Sequence, residues 1–334
     1  MPKSKWNLNT IYISERLQES LRPISRCAMT TVVAPMGYGK TTAVEWYLAE
    51  RAGAEAPYIV RISVYSSNLA IFWKSVQDAF ARAGFAFLRE YDCPTDGASG
   101  GLLIDDLCHA LTGEKSCYIF IDDFHLLTDK RAPGFLCALA GRLPPNVHLI
   151  LASRDLFLPA AELVRLGGKV YQIGTTQLRL NHTELAVYTK RCGTALSDEQ
   201  IDTLLYYSEG WFSAVYLNLR MFSEHGVLPD PNSDISSIFT AAMIDPLPEK
   251  QREFLAVMGL ADEFTVEMAQ FVMADAHAED LLAALTGQNA FVKRLPDGAT
   301  YRFHHMMKEC ALHTFLSMPK ERQTIYRGRL GIWY

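Results

Sequence analysis

The chain has 334 residues, 49% of them hydrophobic and 21% charged, and a formal net charge of −5. These values indicate a soluble globular protein of two or three domains and argue against a chain that grips nucleic acid over its whole surface. The seven cysteines contain no C-x-x-C pair, which favours reduced thiols in the cytoplasm over a disulfide framework or a zinc site. We expect neither a signal peptide nor a membrane-spanning helix, because no apolar run has the required length and flanks.

A short amphipathic helix is predicted over residues 14–21, just before the first strand. Contact of this helix with a ligand bound beside the following strand and simple packing of the helix explain its pattern equally well.

Residues 29–42 indicate a nucleotide-binding loop. Met29–Ala34 is typical of a buried strand, a turn with Gly37, Tyr38 and Gly39 follows, and a helix opens at Lys40, Thr41 and Thr42. The two glycines let successive N–H groups point at phosphates at the helix N-terminus. We expect Lys40 to reach the β- and γ-phosphates and the Thr41 hydroxyl to bind Mg²⁺.

Strands alternate with helices as far as residue 154. Strands are predicted at 56–64, 117–123 and 147–154, helices at 70–83, 102–111 and 135–143, and a surface loop at 91–101. Because the strands lack alternation of polar and apolar residues, they predict a parallel sheet covered by helices on both faces. The fold class is therefore an α/β P-loop NTPase.

Charged residues end two of these strands. Asp122 and Asp123 end one strand, and Arg154 ends the next. Asp122 would hold Mg²⁺, and Asp123 would orient or deprotonate the attacking water. Arg154 could contact the γ-phosphate. The alternatives are two acids that merely cap a strand and a surface pair of Arg154 with Asp155.

After residues 171–180 helical segments dominate. Helices are predicted at 181–192, 197–208 and 211–224, the second with a capping box, followed by a linker at 225–237. Three more helices, a hairpin with arms 290–295 and 300–303, and another helix are the parts of a winged helix. We expect four segments: a P-loop domain at 1–172, a helical domain at 173–233, a winged helix at 234–318 and the start of a helical arm at 319–334.

The winged helix is a poor match for a DNA reader. Residues 245–318 hold six Lys or Arg against eleven Asp or Glu, and the third helix, 278–286, has two acids and no base. Such a surface would repel phosphates, so we expect an internal packing partner and no direct DNA binding. His304 and His305 follow the wing. A histidine at the start of such a helix most often has a structural role. The alternative is a contact with the β-phosphate of a diphosphate.

Together these motifs resemble the nucleotide-binding core of MalT-like regulators, LuxR-type members of the STAND ATPases. The matching stretches lie at 34–42, 121–125, 151–154, 177–184, 209–211 and 301–305. Ala34, at a position where P-loops usually have glycine, is ordinary in that family. Phe212 stands where members usually have proline, and the acidic, Asn-rich segment after the second strand is shortened to residues 65–68 without a carboxylate. The first departure implies an altered contact between the helical domain and the base, and the second implies slow hydrolysis.

The resemblance implies a switch that binds ATP or ADP with Mg²⁺ and hydrolyses slowly. In the resting state its three domains would close over ADP, with His304 near the β-phosphate, and the protein would be a monomer that self-associates when activated. An inducer-binding sensor and a DNA-binding domain would lie outside these residues. The alternative is a P-loop ATPase of remodelling or motor type that is not linked to transcription.

Overall fold

The computed structural model describes residues 7, 10–194, 196–225, 228, 240, 244–245, 247–287, 292–295, 297–303 and 305–334. The chain divides into two compact units. Ile13–Leu178 forms one, and Met1–Tyr12 with Arg179–Tyr334 forms the other. Each unit has a hydrophobic core of its own. Within the described residues, no helix combines the length and the apolar character needed to cross a bilayer.

The first unit is built on a five-stranded parallel sheet. In spatial order its strands run β2-β3-β4-β1-β5. Every residue of β1 and β4 is buried, as expected for strands with helices on both faces. The bounds are β1 (Met29–Val33), β2 (Tyr58–Ser63), β3 (Cys117–Asp122), β4 (Val147–Ser153) and β5 (Val170–Ile173).

Seven helices accompany this sheet. They are α1 (Glu15–Leu21), α2 (Lys40–Glu55), α3 (Leu69–Arg82), α4 (Gly97–Leu111), α5 (Arg131–Arg142), α6 (Ala160–Leu166) and α7 (Thr175–Leu178). The predicted P-loop fold is confirmed, and the strands that carry the glycine turn, Asp122 and Ser153 end at the same edge of the sheet because all are parallel.

Two sequence predictions in this unit were wrong. The change to helical structure was placed around residue 171, yet β5 extends the sheet there and pairs with β1. Only Ile173 of this short edge strand is fully buried, so its sequence carries little apolar signal. The surface loop predicted at 91–101 ends early, because α4 begins at Gly97. The Asp96 side chain accepts a hydrogen bond from the Ser99 N–H and completes a capping box, which holds a first turn rich in glycine.

The second unit begins with three helices, α8 (His182–Arg191), α9 (Asp198–Ser208) and α10 (Phe212–His225). The capping box predicted from Ser197 and Gln200 is present. Most of the predicted linker at 225–237 lies outside the described residues.

The structure explains why the residue at position 210, just after α9, is a glycine. Its φ is +76°, and a Cβ built there would lie 2.1 Å from the carbonyl oxygen of Leu180. The Leu180 N–H donates to the Gly210 carbonyl at 2.9 Å. Only glycine permits this close approach of two backbone segments.

The remaining elements form the predicted winged helix. Its helices are α11 (Glu249–Met258), α12 (Val266–Met273), α13 (Ala278–Gly287) and α14 (His305–Ser317), and α15 (Lys320–Trp333) follows. The wing strands β7 (Val292–Arg294) and β8 (Tyr301–Phe303) are antiparallel, and a two-residue strand, β6 (Glu263–Phe264), which the sequence did not predict, pairs with β8. The acids Glu279 and Asp280 in the first turn of α13 are exposed.

Candidate functional site

The turn between β1 and α2 has the backbone geometry that a phosphate-binding loop requires. Gly37 and Gly39 have φ angles of +79° and +77°, a region that glycine enters without strain. The first hydrogen bond of α2 runs from the Ala43 N–H to the Gly39 carbonyl at 2.8 Å. The N–H groups of Lys40, Thr41 and Thr42 therefore have no acceptor within the helix and mark its positive end.

The Lys40 side chain is buried, with 8% of it exposed. Its ammonium donates to the carbonyl oxygens of Ala34 at 2.6 Å and Pro35 at 2.8 Å. An ammonium has three donors, so one hydrogen remains for a further acceptor. Burial, together with the nearby Arg154 charge, lowers the pKa of Lys40 to about 8. A negative group at this point would restore the charged form.

Asp122 lies directly beside the start of α2. Its Oδ2 accepts a hydrogen bond from the Thr41 hydroxyl at 2.8 Å, and its Oδ1 accepts one from the Asp123 N–H at 2.9 Å. Burial raises the pKa of this carboxyl above its ordinary value, although the two hydrogen bonds act in the opposite direction. Carboxylate and hydroxyl oxygens are donors that suit Mg²⁺, and the structure brings the two predicted metal ligands, Thr41 and Asp122, together.

Asp123 is oriented differently from its neighbour. Its backbone is left-handed, with φ of +54°, which is uncommon for a residue other than glycine. Half of its side chain is exposed, so this carboxylate faces solvent at the edge of the sheet. The two carboxylates therefore have different surroundings, with Asp122 hydrogen-bonded to Thr41 and Asp123 half exposed.

Arg154 follows β4, next to the glycine turn. Val33 pairs with Ser153, and the Ala34 N–H donates to the Ser153 carbonyl at 3.3 Å. The Arg154 side chain is exposed, and no ion pair with Asp155 is found among the described residues. Arg154 thus lies beside the loop, and its charge acts on both Lys40 and Asp155.

Two residues at this edge were not chosen from the sequence. Both ring nitrogens of His125 are buried without a hydrogen-bond partner, and Nδ1 lies 3.9 Å from Asp123 Oδ1. Burial and the nearby Arg154 charge lower the pKa of His125 to about 4. Asp155 Oδ1 is likewise buried without a partner, and burial raises the pKa of that carboxyl. His125 belongs to the matching stretch 121–125 and Asp155 follows Arg154 in the sequence, but neither position indicates that these polar atoms are buried without partners.

The structure thus gathers Lys40, Thr41, Asp122, Asp123 and Arg154 at one edge of the sheet, around the start of α2. Tyr38 in the turn is buried, and Thr42 is exposed on α2. His304 lies outside the described residues. Unpartnered buried polar atoms, a helix N-terminus and paired oxygen donors suit an anionic ligand that carries a divalent metal.

Comparison with known proteins agrees with this architecture. Residues 240–323 match the MalT winged helix domain family. The HTH-type transcriptional regulator MalT of Vibrio campbellii is 21% identical over 353 residues, and that of Yersinia pestis is 21% identical over 343 residues. Both matches cover 98% of this chain and 38% of the relative, so the chain spans well under half the length of these relatives.

Two solved structures with the same fold are named as an ATPase and as nucleotide complexes, respectively. A Walker-type ATPase of Pyrococcus abyssi superposes with a TM-score of 0.64 at 12% identity, covering 94% of this chain and 99% of the other. The ORC2 protein of Aeropyrum pernix, solved as ADPNP–ADP complexes, superposes with a TM-score of 0.50 at 13% identity, covering 94% and 93%. The chain is therefore MalT-like in sequence along nearly its whole length and has the fold of a P-loop ATPase joined to a winged helix.

Proposed function

We propose that this chain is the nucleotide-dependent switch of a MalT-like transcriptional regulator, which binds ATP or ADP with Mg²⁺. The observation that carries the proposal is the arrangement at the start of α2. The buried Lys40 ammonium and three N–H groups meet the Thr41–Asp122 oxygen pair there. Few ligands other than a polyphosphate with a divalent cation would use all of these groups at once.

Each residue has a distinct part in this proposal. Lys40 binds the β- and γ-phosphates and exchanges a loop carbonyl for a phosphate oxygen. Thr41 and Asp122 would hold Mg²⁺, and the ion would supply positive charge beside the terminal phosphate. Asp123, half exposed beside them, orients a water for attack on that phosphate. Arg154 contacts the γ-phosphate, so its position differs between the ATP and ADP states.

The direct test is the affinity of fluorescent ADP and ATP analogues for Lys40→Ala. Removal of the ammonium should abolish binding, because no other cation in the glycine turn replaces it. Lys74→Ala is the matched control, since Lys74 is an exposed lysine on α3 whose partner is Asp78. Unchanged affinity in Lys40→Ala would disprove the assignment.

We further propose that the resting state contains ADP and is a monomer, that ATP promotes self-association, and that the protein is cytoplasmic. The relatives are named as transcriptional regulators, and the chain spans 38% of their length. The sensor and the DNA-binding domain of such a regulator would belong to the part of the relatives that this chain does not match. The purified protein should then carry ADP, which denaturation and chromatography of the released nucleotide would identify.

A turnover ATPase of the remodelling or motor type is the competing function, favoured by the likeness to a Walker-type ATPase. Steady-state hydrolysis separates the two proposals. A switch hydrolyses far below about 1 s⁻¹, the low end of typical enzyme rates, whereas a motor exceeds that rate and is stimulated by its substrate.

A further inference from the structure

A large cavity lies within the first unit, and its lining includes none of the residues proposed to bind nucleotide or metal. It has a volume of about 410 Å³ and is enclosed by β2, β3, β4 and helices α3, α4 and α5. Its walls are mainly aliphatic and aromatic, with Phe72, Trp73, Phe80 and Phe135 among them. The cavity opens to solvent on one side, and a largely apolar cleft with a few polar groups is the usual form of a small-molecule site, so its presence needs an explanation.

The start of α4 contributes glycines to the cavity wall in place of larger side chains. Further along α4, Ile104 and Leu107 line the cavity and pack into the core. One and two turns earlier the same face carries Gly97, Gly100 and Gly101. A Cβ built at the exposed Gly97 or the half-buried Gly101 would meet no atom within 4 Å, whereas one at the buried Gly100 would contact the Phe135 ring at 3.5 Å. Three glycines within the first five residues weaken a helix, so their presence costs stability and leaves this part of the wall without side chains.

The charged residues that line the cavity already have partners. Arg131 binds Asp129 through two hydrogen bonds of 3.0 and 2.7 Å, and Arg142 binds Asp105 at 2.9 Å. Asp96 accepts the Ser99 N–H at 2.8 Å. The walls therefore offer no uncompensated charge to a ligand, and a charged molecule would lose its hydration without replacement. The chemistry favours a neutral molecule.

Volume sets the size of that molecule. A cavity of ~150 Å³ with similar walls takes up benzene, and sites for small ligands span about 300–1,000 Å³. The present cavity is large enough for about two or three rings. Its floor also touches the nucleotide site, because Ile121 and Phe124, which flank Asp122 and Asp123, both line it.

We propose that this cavity is a binding site for a small, uncharged, largely apolar molecule, enclosed by α3, α4 and α5. The glycine face of α4 is the feature that admits the ligand. Exposed lining residues, Thr95, Asp96, Gly97 and Arg131, mark the side on which the ligand enters.

The test uses N-phenyl-1-naphthylamine, a neutral dye of two aromatic groups that fluoresces in apolar surroundings and accepts energy from tryptophan. Titration of the full chain should give a saturable rise in fluorescence at one site. Part of that signal should arise by transfer from Trp73, which is held in the wall by a hydrogen bond from its Nε1–H to the Tyr91 carbonyl at 3.0 Å. Trp73→Phe should lose this transfer.

Gly101→Leu should fill the space and weaken dye binding at least tenfold. Gly53→Leu is the matched control, because Gly53 is an exposed glycine inside α2 where an added Cβ also meets nothing within 4 Å. It should bind the dye as the wild type does. Dye binding that does not saturate, equal affinity in a folded Gly101→Leu, or unchanged transfer in Trp73→Phe would each overturn the proposal. If Gly101→Leu does not fold, the Trp73→Phe result decides.

Discussion

Replacing Lys40 by methionine should change how the stability of the protein depends on pH. The wild-type lysine is buried and its pKa is about 8, against an ordinary value of 10.5. Between these two values the unfolded chain keeps a proton that the folded chain has lost. Stability therefore rises with pH in this range. The wild type should gain about 3 kcal/mol relative to Lys40→Met, from ~1.4 kcal/mol per pKa unit, with the gain absent below pH 8 and complete near pH 10.5.

Urea unfolding at several pH values from 7 to 10 measures this gain. Trp46 and Trp73 lie in the same compact unit as Lys40 and report its unfolding. Other titrating groups are present in both proteins, so their contributions cancel in the difference. Lys74→Met, a change at an exposed lysine, should show a difference that does not vary with pH. A flat difference for Lys40→Met as well would refute the burial of a charged lysine at the start of α2.

Three further outcomes are expected. Asp123→Asn should keep ATP affinity and lose hydrolysis in a single-turnover assay, and the assignment fails if Asp123→Asn hydrolyses normally while Asp122→Asn does not. Gly210→Ala should lower the free energy of unfolding by at least about 2 kcal/mol, through the clash with Leu180. Gly193→Ala, with φ of +97° but open space around it, should lose only about 1 kcal/mol. Electrophoretic mobility assays at physiological salt should show no sequence-specific DNA binding by this chain, since Glu279 and Asp280 are exposed on α13; a salt-sensitive, selective shift would contradict this.

The parts of the fold that sequence predicted well are those with local signals. The glycine turn lies between an apolar strand and a helix within fourteen residues. The capping box of α9, formed by Ser197 and Gln200, lies within one helical turn. Strands β5 and β6 were missed because both are short and lie at sheet edges, where pairing with a distant strand decides the structure.

The candidate site likewise combines residues with local sequence signals and residues whose surroundings depend on tertiary structure. Lys40 and Asp122 follow from motifs, whereas the environments of His125 and Asp155 depend on which strand ends become neighbours. That β4 lies between β1 and β3 is set by tertiary packing. No local pattern could show that the polar atoms of these two residues would be buried without partners.

The unexpected Asp155 changes the electrostatics of the site and leads to a final prediction. Lys40 is influenced by one other cation, Arg154, and by three carboxylates, Asp122, Asp123 and Asp155. With all five ionised, the cluster has an excess of one negative charge, and the N-terminus of α2 offers only about +0.5. A bare triphosphate would be repelled. The affinity for a fluorescent ATP analogue should therefore fall at least tenfold when EDTA removes divalent cations, because the metal must offset both sets of charges.

One pair of variants tests whether Asp122 binds the metal or whether the metal only accompanies the nucleotide. Asp122→Asn removes the carboxylate that lies 2.8 Å from the Thr41 hydroxyl, so the effect of EDTA on affinity should shrink to a few-fold. Asp105→Asn removes the same charge from an exposed site on α4, where the partner is Arg142, and should keep the full effect. If both variants respond to EDTA as the wild type does, the metal is held by the nucleotide alone, and Asp122 has no part in binding it.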